Sequence, residues 1–377
     1  MNGDLVRILI APDKFKGTLT AVEVARAMRA GVLRALPHAS VELCPVADGG
    51  DGTAETLCEA LGGTHSFAAV RGPLGAPVEA PLFLLDDGRV VIEMAQASGL
   101  TLLEGKKDPL RASSFGTGEL LGAALEQAAD DGEILIAIGG SASTDGGTGA
   151  ARARGWRFLD AAGRELEQGG GALVDLATIE PPNETRRATI TGFSDVDNPL
   201  LGPSGAARVF APQKGASQED VELLERGLGV LAERIAQDLG LDVASLSGGG
   251  AAGGMGAGLV AFFGGSLEAG FEAIAAAVGL EAALGRADLV LTGEGSLDEQ
   301  SLAGKAPIGV SRMAAAAGVP CLAIAGRVAL EPSELLEVGM LEAMDLVSVS
   351  GERRALGDPA AAVADAAATL LDRYLHP

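Results

Sequence analysis

Aromatic residues make up only 3% of this 377-residue chain, so rings cannot carry its core. Hydrophobic residues still reach 47%, which leaves Ala, Val, Leu and Ile to fill the interior and excludes global disorder. Cysteine is scarce too. Cys44, Cys58 and Cys321 are odd in number, far apart and free of any C-x-x-C pair, which argues against a disulfide framework or a zinc site and for a reducing cytoplasm. His38, His65 and His376 are scattered without an H-E-x-x-H, and no G-x-S-x-G occurs, so zinc-hydrolase and serine-hydrolase chemistries lose their main supports. The Walker A pattern is missing: around Gly304-Lys305 its first glycine is Glu299 and its final hydroxyl is Ala306. No uncharged apolar run approaches the ~20 residues of a membrane span, and the opening Met1–Ile10 contains Asp4 and Arg7, so neither a leader nor an anchor is expected. Basic residues number 28 against 51 acidic ones, and the resulting net charge of −23 repels nucleic acids and anionic membranes. The same field repels nucleotides and small acids. An anionic substrate must therefore be met locally by backbone N–H groups, a cation or a few placed Lys and Arg.

What the chain has in excess is glycine, 55 residues, about twice the usual ~7% share and without a G-X-Y period. The length suits two to three domains. The start reads as βαβ: a compact apolar run Val6–Ala11, a capping box of Thr20 and Glu23 opening a helix to about Leu36, and a second strand Val41–Val46 before a helix over Ala54–Ala60. From about His65 the rhythm changes to a turn at Gly72–Gly75 and a hairpin, Pro81–Leu85 and Arg89–Met94, around Asp86-Asp87-Gly88. There follow a helix Thr117–Ala129, strands Ile134–Ile138 and Thr189–Phe193, a helix Ser217–Leu239, a glycine-rich segment Gly248–Gly258 and an amphipathic stretch Leu267–Leu284. The βαβ rhythm then returns with strands Asp288–Leu291 and Val319–Ala325, Pro307 in the first turn of a helix, and Asp358-Pro359 capping the last one. The expected fold is α/β in two domains. A doubly wound parallel-sheet domain comes from both chain ends, 1–63 and 286–377, with a second α/β domain, 64–285, inserted.

Glycines cluster with Asp, Glu, Ser, Thr or Lys in strand-end loops: Asp13–Thr18, Asp48–Thr53, Ser141–Thr148, Asp195–Pro199, Gly253–Gly256 and Glu294–Lys305. In open α/β sheets ligands bind there. Glycine lets backbone approach a phosphate, successive N–H groups form an anion nest and interspersed carboxylates hold Mg²⁺, which together are parts for phosphoryl transfer. Each loop taken alone is also explained as a tight turn, with Thr53 and Thr148 as caps and Glu294 and Asp298 opposing Lys305. Gly248-x-Gly250-x-x-Gly253 matches a dinucleotide fingerprint, but about one such match is expected by chance at this glycine content.

At these loops the sequence resembles the bacterial type I glycerate kinases. The stretches are "IAPDKFKGTLTAVEVA" from Ile10, "PVADGGDGTAETL" from Pro45, "IEMAQASGL" from Ile92, "DPLRASSFGTGEL" from Asp108, "IGGSASTDGGTGA" from Ile138, "SDVDNPLLGPSGAARVFAPQKGAS" from Ser194, "GGGAAGGMGAGL" from Gly248 and "TGEGSLDEQSLAGKAPIGV" from Thr292. Departures are mild: Lys14 where serine is common, Ser194 where many relatives have cysteine, and Ser296-Leu297 for a basic-apolar pair. The resemblance implies transfer of the ATP γ-phosphate, with Mg²⁺, to D-glycerate, usually giving 2-phosphoglycerate, in two α/β domains. On that footing Asp195 is expected to take the proton of the attacking hydroxyl, and Lys16 to neutralise the phosphoryl group or the glycerate carboxylate. Asp48, Asp51 and Asp298 are the candidates for Mg²⁺. Substrate and nucleotide contacts are expected from Asp13, Gly49, Gly50, Gly52, Ser141, Thr144, Gly146, Gly147, Asn198, Gly253, Gly254, Glu294 and Lys305. Partners are ATP and D-glycerate, with no nucleic acid and no membrane, while homo-oligomerisation stays open. A nicotinamide-dependent dehydrogenase, which needs a strand before Gly248, and a non-catalytic binder of phosphorylated acids are the rival readings.

Overall fold

The computed structural model describes residues 6–103, 105–183, 188–299, 301–303 and 305–376. Met1–Leu5 of the opening segment and Gln300 and Gly304 of the loop Glu294–Lys305 lie outside them. The chain forms two compact units, one from Met1–Asp48, Glu55–Leu61 and Phe271–Pro377, the other from Gly49–Ala54 and Gly62–Gly270.

The first unit is built on a five-stranded sheet in the order Met340–Asp345, Cys321–Val328, Leu289–Leu297, Arg7–Ile10, Ser40–Leu43, every pair parallel. Its three inner strands are buried on both faces, which is why they read as continuous apolar runs. Ile8, Ile10, Leu291 and Ile324 pack with helices Ala21–Ala35 and Pro359–Leu375, while Leu9, Val290 and Cys321 face Ala306–Ala316 and Leu280–Leu284. The Thr20–Glu23 capping box opens the helix at Ala21, and Asp358 caps the last helix through the N–H of Ala361. The strand order reverses between Arg7–Ile10 and Leu289–Leu297. Connections run outward on either side of that pair, so the carboxyl ends of these two strands flank the crevice where ligands bind in open α/β sheets.

The second unit carries a six-stranded sheet, Ser266–Glu268, Thr189–Phe193, Glu133–Ala137, Val90–Glu93, Pro77–Leu85, Gly63–Arg71. The first four strands are mutually parallel. The last two form antiparallel pairs at one edge, where the expected hairpin stands and where Gly63–Arg71 adds a strand that the half-exposed sequence conceals. Helices Phe115–Gln127 and Ala251–Phe263 cover the sheet, and Gln218–Leu239 closes a separate core with Phe158, Leu173 and Phe262.

Two stretches depart from the sequence reading. Leu267–Leu284 is not one amphipathic element but the strand Ser266–Glu268 and the helices Gly270–Ala277 and Leu280–Leu284, because Gly279 at φ 71° stops the helix between them. Gly248–Gly258 enters the helix Ala251–Phe263 through a kink in which Ala252, Gly253 and Gly254 are all left-handed. No strand precedes it over 241–247, so the dinucleotide-fold reading loses the element it requires.

Candidate active site

In the first unit the reversal point carries charge. Beyond Ile10 the chain continues along the neighbouring strand: Ala11 N–H donates to the Leu291 carbonyl and Asp13 N–H to that of Gly293, both at 2.8 Å. That register sets Asp13 and Glu294 beside each other at the strand ends, each 5% exposed. Burial, with Asp48 and Glu294 nearby, pushes the Asp13 carboxyl up to about 7 against the opposing pull of Lys14. Burial also raises Glu294, which Lys305 counters from 3.4 Å. Lys14 Nζ stands 4.0 Å from Asp48. Lys16 is exposed at the start of the tight turn Phe15–Leu19, and Gly295 leaves room for its backbone.

The carboxylates expected to hold a metal each have surroundings of their own. Among the described residues no three His, Cys, Asp or Glu side chains would hold an ion unaided. Asp51 accepts a bond from Gln96 in the second unit, and Asp298 accepts from Ser301 N–H and Ser296 Oγ in its own turn. Asp48 instead belongs electrostatically with Asp13 and Glu294, and Glu294 Oε1 is buried with no hydrogen-bond partner among the described residues. That group fits Mg²⁺ as kinases usually hold it, through one or two carboxylates complemented by phosphate oxygens and water.

In the second unit the four parallel strands end together in Glu93, the loop after Ala137, Ser194-Asp195 and the turn before Gly270. Glu93, 4% exposed, accepts from Gly52 N–H at 3.1 Å and Ala54 N–H at 2.7 Å, so it holds the loop of Gly49, Gly50 and Gly52. Asp145 is an equivalent hub: it accepts from Ser114 N–H and Oγ, Gly147 N–H and Gly149 N–H. Gly146 N–H donates to the Gly253 carbonyl. The N–H groups of Gly52, Gly146 and Gly147 are thus spent inside the protein, and the anion-nest reading of those glycines is corrected. They are needed for close approach. A Cβ on Gly253 would stand 2.1 Å from the Ser143 carbonyl, and one on Gly254 2.8 Å from Gly146 Cα. Thr53 and Thr148 are not N-caps: the caps are Gly52 and Gly147, both left-handed, and the threonine hydroxyls donate back to the Gly50 and Asp145 carbonyls.

Other expected residues line up along the same strand ends. Asp195, half-buried, follows Thr189–Phe193, and the next turn is tied down by Asn198 Nδ2 to the Ser204 carbonyl and by Gly250 N–H to the Asn198 carbonyl. A Cβ on Gly49 would meet Phe193 at 2.9 Å, so this loop abuts the strand that presents Asp195. Ser141 and Thr144 lie buried in the loop held by Asp145. The sequence reading missed Lys214 at the end of the turn Pro212–Lys214. It is 2% exposed, and its Nζ donates to Ser141 Oγ at 2.9 Å and to the Ser143 carbonyl. Lysine in a glycine-flanked loop looks like any surface cation; only burial sets it apart.

The glycerate kinase family model matches residues 8–375. The chain is similar to a glycerate kinase of Halalkalibacterium halodurans, 44% identical over 345 residues and 90% of each chain. It is similar to the glycerate 2-kinase of Escherichia coli, 44% identical over 328 residues and 85% of each. It also superposes, with a TM-score of 0.85 at 41% identity over 99% of both chains, on a crystal structure from Salmonella typhimurium LT2 that provisionally bears the name glycerate kinase 2.

Proposed function

The chain belongs to the glycerate kinase family and is an enzyme of that class, and on that premise we propose that it moves the γ-phosphoryl group of ATP, with Mg²⁺, to the 2-hydroxyl of D-glycerate. The observation that carries the reading is the buried pair Asp13 and Glu294 at the strand-order reversal, bordered by Lys14, Asp48 and Lys305. Phosphoryl transfer asks a protein mainly for positioning and charge neutralisation, and this cluster offers both signs of charge on rigid strand ends.

One or two carboxylates of the group Asp13, Asp48 and Glu294 would hold Mg²⁺, which would supply charge neutralisation to the phosphates. Lys16, Lys14 and Lys305 supply positive charge to the phosphates, Lys16 being the most exposed of the three. Asp195 receives the proton of the attacking hydroxyl, a role that needs a carboxylate within hydrogen-bond reach and a supported turn behind it. Gly49, Gly50, Gly52, Gly146, Gly147, Gly253 and Gly254 act by letting loops approach closely, so that Ser141, Thr144 and Asn198 keep fixed positions. No helix among the described residues is long and apolar enough to cross a membrane, and we place the enzyme in the cytoplasm.

ADP release measured with and without D-glycerate tests this reading. Release should require D-glycerate and stop when EDTA removes the divalent cation. Equal release in the absence of an acceptor acid would leave an ATPase in its place.

A further inference from the structure

From the second unit we infer that Lys214, with the hydroxyls of Ser143 and Thr144, forms the subsite that takes the carboxylate of the acceptor acid. The inference rests on the kinase reading and names a part of its site.

Lys214 is a buried cation with no ion pair among the described residues. Among the described residues its electrostatic partner of opposite sign is Asp145, which is already occupied by Ser114, Gly147 and Gly149. The neighbouring cation is Lys107, whose Nζ donates to the Gln213 carbonyl. Two ammonium donors of Lys214 go to Ser141 Oγ and the Ser143 carbonyl, so one remains in the protonated form. In the segment that Lys214 binds through the Ser143 carbonyl, Ser143 Oγ and Thr144 Oγ1 belong to residues with no exposed surface, and neither oxygen has a hydrogen-bond partner among the described residues. Leaving such groups unpaired forfeits the hydrogen bonds they make to water in the unfolded chain. Folded proteins tolerate that mostly where a ligand or an ordered water completes the set.

The surroundings are built for close fit. Gly253 lets the two loops close on Lys214: its own Cβ would stand 2.1 Å from the Ser143 carbonyl and 3.0 Å from Lys214 Nζ. Ala252, next to it, is held at φ 55°, a strained conformation for a residue with a side chain. One amine and two hydroxyls make a donor set for a planar monoanion. A triphosphate needs several charges, which the first unit's lysines and carboxylates supply. A net charge of −23 gives a reason to bury the cation, since desolvation strengthens its pull on one anion while the field outside repels others. Burial holds the amine down at about 7, so anion binding should draw a proton onto it.

Steady-state kinetics of Lys214→Met and of the double variant Ser143→Ala/Thr144→Val, joined to calorimetry of D-glycerate binding in two buffers of different ionisation enthalpy at pH 7.5, test the inference. Lys214→Met should raise KM for D-glycerate at least about tenfold with KM for ATP unchanged within twofold. It should also abolish the proton uptake seen in the wild type and narrow the preference for D-glycerate over glycerol, which lacks the carboxylate. The double variant should weaken D-glycerate in the same direction, and it carries the test if Lys214→Met does not fold. Folded variants that keep KM for D-glycerate within twofold, or that raise KM for ATP instead, overturn the inference. A wild type that does not phosphorylate D-glycerate fails the family reading, a result distinct from either.

Discussion

Asp13 shows what it takes to keep a carboxyl at the end of a buried parallel strand. Its folded pKa, about 7, lies well above the 3.8 of an ordinary aspartate, with burial as the main cause and Asp48 and Glu294 adding to it. Below pH 4 the native and unfolded chains are both protonated and the group costs nothing. Between 4 and 7 the native state retains a proton that the unfolded chain has released, so stability falls as pH rises, and above 7 the full penalty stands. In metal-free protein Asp13→Asn should therefore raise Tm by several degrees more at pH 8 than at pH 5. An equal shift at both would show that Asp13 titrates normally. Asp195→Asn should cut kcat by about 10²–10⁴ with little change in KM for D-glycerate, and a variant within tenfold of wild type would remove Asp195 as the base. The strand-end places of Asp13, Glu294, Ser141 and Thr144 were legible because the βα rhythm locates the loops that carry them. The burial of Lys214 and Glu93 was not, since nothing in their local sequence reports the tertiary packing. The partners of Asp51 and Asp298 were not legible either, because proximity to glycines says nothing about which group a carboxylate meets.

Among elements, the kink that opens the helix Ala251–Phe263 and the cap that ends Gln218–Leu239 use glycine for different reasons. Gly240, at φ 74°, faces open space, so Gly240→Ala pays only for the left-handed backbone, about 1 kcal/mol. Gly253, at φ 72°, would drive a Cβ against the Ser143 backbone, and Gly253→Ala should cost at least about 2 kcal/mol more in denaturant unfolding. Equal costs would mean that the two loops are not in contact. Helix starts were readable from their chemistry: the capping box read at Thr20 forms, and the helix read from Ser217 is capped by that serine. The break at Gly279 was hidden because the apolar periodicity of Leu267–Leu284 runs across it, and a left-handed glycine leaves no trace in that pattern. The edge strand Met340–Asp345 escaped notice because its Glu342 and Asp345 interrupt the apolar run that marks the inner strands.

For the molecule as a whole, the glycine excess and the acidity have separate explanations. Glycines allow close backbone approach around the loops held by Glu93 and Asp145, and the anions are assigned by our proposal to a few lysines and carboxylates. Much of the remaining charge sits in exposed ion pairs such as Arg7–Asp288 and Arg26–Glu59, which leave the net −23 uncompensated. Screening that self-repulsion should raise Tm by a few degrees between about 10 mM and 300 mM NaCl; a flat or falling Tm would show that the surplus is already neutralised locally. The central claim is phosphoryl transfer to the 2-hydroxyl of D-glycerate, and phosphorus–proton correlation NMR of the product formed from ATP, Mg²⁺ and D-glycerate tests it most directly. The account predicts coupling of the new phosphate to the single proton on C2. Coupling to the two protons on C3, or no new phosphate ester at all, would contradict it.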